Sequence, residues 1–130
     1  MCEEYTFTAD LVFRCGAVTE EAIINFCDKL YDVSYDHADN IDFSHRPDID
    51  QYTVHINEAI YEGNEFEYAL IDTEMLCLMA DCEFECSGPG QKFFYRIQDG
   101  QLQQCSSVQV PDQRWKRVDL MLRHNVMVVA

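Results

Sequence analysis

Between Tyr5 and Arg14 every second residue is apolar or aromatic: Tyr5, Phe7, Ala9, Leu11 and Phe13 alternate with Thr6, Thr8, Asp10, Val12 and Arg14. A period of two sends successive side chains to opposite faces of a strand, so this segment predicts a strand with one face in a core and the other in water. Half-buried strands suit antiparallel sheets, and the apolar face of such a sheet needs a covering layer.

The next segment supplies that layer. Gly16 breaks the strand, Thr19 is placed to cap a helix, and Glu20 and Glu21 favour the positive end of its dipole. From about Thr19 to Tyr31 the apolar residues Ile23, Phe26, Cys27 and Leu30 recur at i, i+3, i+4 and i+7, with Glu20, Glu21, Asp28 and Asp32 turned outward. Periodicity then disappears between Val33 and Asp50, where five aspartates, His37, His45 and Pro47 favour turns. The expectation there is a long acidic loop, and loops of that length are more often functional than merely connecting.

Tyr52, Val54 and Ile56 alternate with Thr53, His55 and Asn57, which predicts a strand running towards Ile60 and ending at the turn residues Glu62-Gly63-Asn64-Glu65. Phe66, Tyr68 and Leu70 continue the alternation and predict an antiparallel return strand. Met75 to Cys86 is open between helix and strand: as a helix its acids fall on two opposite sides, and the alternation of Cys82, Phe84 and Cys86 with Glu83 and Glu85 favours strand. Ser87-Gly88-Pro89-Gly90 is a loop, and Phe93 to Ile97, Asp99-Gly100 and Leu102 to Val110 form a tight hairpin. The tail from Arg114 fits either a strand through Val118, Leu120 and Leu122 or a helix capped by Asp112. The 130 residues thus predict one domain of α+β class: a mainly antiparallel sheet with at least one amphipathic helix, about 19–31, on one face.

With 48% hydrophobic and 12% aromatic residues the chain can form a core, so wholesale disorder is excluded. Its net charge of −15 argues against direct binding to nucleic acid phosphates or to an anionic membrane. The acidity is uneven. Residues 1–91 hold 21 acids and 3 bases, whereas residues 92–130 hold 3 acids and 6 bases. The acidic amino terminus does not resemble a secretory signal, and the longest apolar stretches, 75–80 and 126–130, are far shorter than the roughly 18–20 residues of a membrane-spanning helix. Seven cysteines, an odd number, several at core-facing positions, predict free thiols in a reducing cytoplasm, that of a host cell if the gene is carried by a phage.

Candidate chemistry is sparse. Asp36-His37-Ala38-Asp39-Asn40-Ile41-Asp42 spaces oxygen ligands like a calcium loop, yet Ile41 and Pro47 stand where glycine and glutamate would be required. Cys77, Cys82 and Cys86 lack a C-x-x-C pair and read as small buried hydrophobes rather than zinc ligands. No nucleophile elbow, phosphate loop, zinc-protease helix or dinucleotide fingerprint occurs, so no catalytic residue, metal or cofactor is expected. Phe93, Phe94 and Tyr95 beside Lys92 and Arg96 could stack nucleobases, but the overall charge favours a hairpin whose Phe93, Tyr95 and Ile97 face the core.

Charge is the strongest functional signal. Like charges at this density destabilise a compact state, and a basic partner offsets that cost. Acidic inhibitors that imitate nucleic acid, including antirestriction and anti-CRISPR proteins and some nuclease-immunity proteins, share this size and charge balance; the likeness is one of composition, and no motif ties the chain to any one family. The expectation is therefore a binding protein, not an enzyme, that blocks the basic nucleic-acid-binding surface of a nuclease or similar partner. Its contact candidates are Asp36, Asp39, Asp42, Glu62, Glu65 and Glu67, with Trp115 as an apolar anchor. The alternative is a small cytosolic enzyme or ligand-binding protein with a Cys/His-lined cleft and incidental acidity.

Overall fold

In the computed structural model, residues 4–34, 40–105 and 115–118 are described. The chain runs β1 (Glu4–Val12), α1 (Glu20–Asp32), β2 (Ile41–Arg46), β3 (Gln51–Glu62), α2 (Glu65–Asp72), a 3-10 turn at Leu76–Leu78, β4 (Cys82–Gly88), β5 (Gln91–Gln98), β6 (Gln101–Cys105) and the two-residue β7 (Lys116–Arg117). All strands join one antiparallel sheet in the order β2-β3-β1-β4-β5-β6-β7. The fold is α+β with a mainly antiparallel sheet.

The alternation in β1 sets the two faces. Phe7, Ala9 and Leu11 are buried, while Glu4, Thr8 and Asp10 are exposed. Register carries that division outward: Phe84 and Cys86 of β4 and Tyr95 and Ile97 of β5 share the inner face, as do Tyr52, Val54, Ile56 and Tyr61 of β3. Helix α1 covers this face from the β2–β3 side, and α2 packs on β3 and α1. Thr19 caps α1 through its hydroxyl, which accepts from the Ala22 amide at 3.2 Å, and Ile23, Phe26 and Leu30 form the buried stripe. Leu30 lies in the last turn, where carbonyls lack helical partners, and the Tyr61 hydroxyl donates to its C=O at 2.9 Å.

Phe7 is the hub of an aromatic cluster. Its ring stacks on Phe66 at 3.9 Å between centroids and lies 5.7 to 6.5 Å from Tyr61, Tyr95 and Phe84. The α2 segment departs from the return strand expected over 66–70. Phe66 and Leu70 are four apart, a spacing shared by strand and helix periodicities, and the core instead selects Phe66, Ala69 and Leu70 as the buried set. The strand expected over 75–86 begins only at Cys82, because Leu76–Leu78 forms the 3-10 turn. The expected loop 33–50 contains β2, an edge strand whose half-buried Ile41 and Phe43 alternate with Asp42 and Ser44. The expected hairpin is present as β5 and β6, with Asp99-Gly100 at its turn, while residues 106–110 lie outside the described residues. In the tail, Lys116–Arg117 pairs with β6, and Leu120 and Leu122 lie outside the described residues.

β3 carries one irregularity. Phe7 pairs with Ala59 but Ala9 pairs with Ile56, so Asn57 and Glu58 together oppose Thr8 as a β-bulge. Glu58 takes the left-handed conformation there (φ 56°), and its amide donates to the Thr8 hydroxyl at 3.3 Å.

Two substitutions test this core. Phe7→Ala removes the ring that the other four surround and is expected to cost about 3–5 kcal/mol in denaturant unfolding. Tyr61→Phe leaves the Leu30 carbonyl without its donor and is expected to cost about 1–3 kcal/mol.

Candidate functional site

The sheet face opposite the helices is lined by polar and charged residues. A single row crosses it from β2 to β6, one residue per strand: Asp42, His55, Asp10, Glu83, Arg96 and Gln103. Direct register pairs are Asp42 with His55, His55 with Asp10, Glu83 with Arg96, and Arg96 with Gln103. Asp10 and Glu83 are neighbours by extension of the β1–β4 register from Thr8 and Glu85. The row is anionic over β2, β1 and β4 and cationic at β5.

Period-two geometry places six carboxylates on this face: Glu4, Asp10, Asp42, Glu62, Glu83 and Glu85. Glu4 stands directly opposite Glu62, a like-charge pair that water must screen. The cations on this face are partly engaged. Lys92 pairs with Glu85 at 3.3 Å and Arg46 with Asp48 at 2.9 Å, while Arg96 Nε donates to Gln103 Oε1 at 2.5 Å. The Arg46 guanidinium beside Asp48 lowers that carboxyl's pKa from its ordinary value.

A trough of about 720 Å³ lies along the middle of the face. Thr8 and Asp10 of β1, Glu83 and Glu85 of β4, and Phe94 of β5 line it, and Trp115 stands at one side. The Arg96 guanidinium carbon sits 4.6 Å from the centre of the Trp115 ring, a cation–π contact that holds the indole against the sheet. Three carboxylates beside two aromatic rings can receive Lys or Arg side chains by ion pairing and by stacking on their apolar stems. Among the described residues, neither Cys nor His lines this trough.

The sequence-derived contact candidates divide. Asp42 is exposed on the open face, Glu62 lies at its far end opposite Glu4, and Trp115 borders the trough. Glu65 is exposed in the first turn of α2. Glu67 is only 3% exposed and belongs to the interior: its Oε2 accepts from the Tyr95 hydroxyl at 2.7 Å, and Gln104 Nε2 donates to that same hydroxyl at 2.8 Å. Asp36 and Asp39 lie outside the described residues. Asp10, His55, Glu83 and Glu85 are not among those candidates, and Phe94 and Arg96 entered only as a possible stacking surface for nucleobases. Each carried a signal, being on the polar side of an alternating segment, but their alignment in one row depends on strand order.

Among the described residues, no group of three or more His, Cys, Asp or Glu is arranged to hold a metal ion. None of the six described cysteines is in a disulfide. Cys86 is buried and Cys82 half-buried beneath the sheet, whereas Cys77 is exposed. Burial, reinforced by the Glu67 charge, pushes the Cys86 thiol up to about 12, and burial with the charges of Asp28 and Asp42 pushes Cys27 up to about 11. Burial is also the main cause of the upward shift at Cys82. No family model, curated protein or solved structure matches this chain, and no helix among the described residues is long and apolar enough to cross a membrane.

These shifts dictate an alkaline instability. Folding holds the thiols neutral, so the unfolded chain loses their protons first, from about pH 9, the ordinary thiol value. Stability from this source is complete below pH 9 and is expected to fall as pH rises through 11 towards 12. Denaturant midpoints at pH 8 to 11 measure the fall, and Cys86→Ala is expected to flatten it. At pH 8 a thiol reagent is expected to modify Cys15 and Cys77 well before Cys27 and Cys86.

Proposed function

We propose that this protein is an acidic binding protein that uses the open face of its sheet to occupy the basic nucleic-acid-binding surface of a partner enzyme. The observation that carries this reading is the collection of six carboxylates on one face while the helices occupy the other. Spread over several strands, they form a broad anionic field of the kind that speeds encounter with a basic groove. The trough bordered by Trp115 and Phe94 adds contacts beyond Coulomb attraction, which specificity needs.

Under this reading the carboxylates stand where phosphates would sit, and inhibition is stoichiometric, as in antirestriction, anti-CRISPR or nuclease-immunity proteins. The partner is a nuclease or similar effector, and the protein touches neither nucleic acid nor membrane directly. The free thiols accord with action in the cytoplasm, that of the host if the gene is phage-borne.

The test uses the full chain as bait in extract from the host cell, followed by binding rates against the recovered enzyme. Expected is a nucleic-acid enzyme whose association slows steeply with salt. The combined change Asp10→Asn, Glu83→Gln and Glu85→Gln is expected to weaken binding about tenfold, since exposed pairs contribute about 0.2–1 kcal/mol each. Neutralising Glu21, Asp28 and Asp32 on the helical side is expected to do much less. Recovery of only neutral or acidic partners, or equal effects from the two triples, overturns the reading.

A further inference from the structure

At the β2 edge of the open face, three side chains from adjacent strands form a chain of hydrogen bonds. Asp10 Oδ1 lies 2.8 Å from His55 Nδ1, and His55 Nε2 lies 2.9 Å from Ser44 Oγ. A carboxylate only accepts, so it keeps the proton on Nδ1 and leaves the Nε2 lone pair facing the serine hydroxyl. This is the order of groups, on the same two imidazole nitrogens, that activates serine nucleophiles on unrelated folds.

Two further features point the same way. Ser44 is exposed on the outermost strand, so an acyl carbon can reach it from the sheet edge. The Asn57 amide donates to the Asn40 carbonyl at 2.8 Å, which sets the ladder alternation between β2 and β3. That alternation turns the amides of Asp42, Ser44 and Arg46 towards β3 and those of Phe43 and His45 towards the open edge. His45 follows the serine, and the amide after the nucleophile is a recurrent oxyanion donor.

We propose that Ser44, His55 and Asp10 form an acyl-transfer site that hydrolyses small neutral or cationic carboxylic esters. Ser44 Oγ attacks the ester carbonyl as its proton passes to His55 Nε2, and the tetrahedral oxyanion faces the His45 amide. The C–O bond to the leaving group then breaks, and Nε2 returns the proton so that an alcohol departs. Water, deprotonated by the same Nε2, adds to the acyl-serine and releases the acid, restoring the Ser44 hydroxyl. Asp10 is a positioning residue, acting through the imidazole. Asp42, directly opposite His55 in the register, disfavours anionic esters.

The experiment treats the full chain with an uncharged fluorophosphonate, whose phosphorus accepts the serine oxygen as fluoride leaves, and locates the adduct by peptide mass. Expected is one adduct on Ser44, absent in Ser44→Ala. His55→Gln is expected to slow its formation at least about 100-fold, the scale of general-base assistance, and Asp10→Asn to slow it less. Circular dichroism checks that each variant is folded; His55 is 41% exposed, so its replacement leaves the core intact. No adduct on the wild-type Ser44, or an equal rate in His55→Gln, overturns the proposal. The result is independent of partner binding, because Ser44→Ala removes the nucleophile without touching a carboxylate.

Discussion

Strand β1 is hydrogen-bonded on both sides, to β3 and β4, and its alternation is imposed on the whole sheet. Because register pairs share a face, burying Phe7, Ala9 and Leu11 commits the direct partners of those residues to the core as well. The aromatic cluster around Phe7 then joins β1, β3, β4, β5 and α2 in one packed unit. The charged outer face follows from this arrangement: with the apolar residues of each strand turned inward, the intervening Asp and Glu residues have only the opposite side available.

That outer face carries a cost which the interior offsets. Glu4 against Glu62, and Asp10 beside Glu83, place like charges on neighbouring strands, and such pairs are unfavourable where they are not screened. Solvation makes the arrangement tolerable, and burial of the 23 residues of the core cluster outweighs it. The gradient along the transverse row, from carboxylates at β1 and β4 to Arg96 at β5, gives the surface a direction as well as a sign. A partner that matched only net charge would meet Arg96 and Lys92 unfavourably, so orientation is built into the electrostatics.

The proposed ester site and the proposed binding face share a sheet surface but draw on different properties of it. Binding of the proposed kind would use summed charge over several strands and would be insensitive to the placement of any one carboxylate. Nucleophilic chemistry at Ser44 uses two short hydrogen bonds and depends on the position of single atoms. Both follow from cross-strand proximity: direct opposition brings His55 beside Asp10, and a diagonal contact across β2 and β3 brings it to Ser44.

The residues of β1, α1, β4 and the β5–β6 hairpin announce their structure through local period and capping, because each element's burial can be read from its own alternation or stripe. Thr19 as a cap, Ile23, Phe26 and Leu30 as a buried stripe, and Asp99-Gly100 as a turn are of this kind. Segment 65–72 was not legible, since Phe66 and Leu70 satisfy both periods and only docking against Phe7 selects the helix. Edge strand β2 was hidden by having a single neighbour and only Ile41 and Phe43 to mark its inner side. Glu67 looked like surface charge because its polar partners, Tyr95 and Gln104, come from distant strands. What the sequence determined by itself was the class of fold, the sign of the charge and the polar side of the strands that alternate clearly, β1, β4 and the first half of β3 among them. The tertiary structure alone decided which polar residues stand together, because strand order brings Asp10 of β1 between His55 of β3 and Glu83 of β4, residues that local periodicity gives no means of pairing.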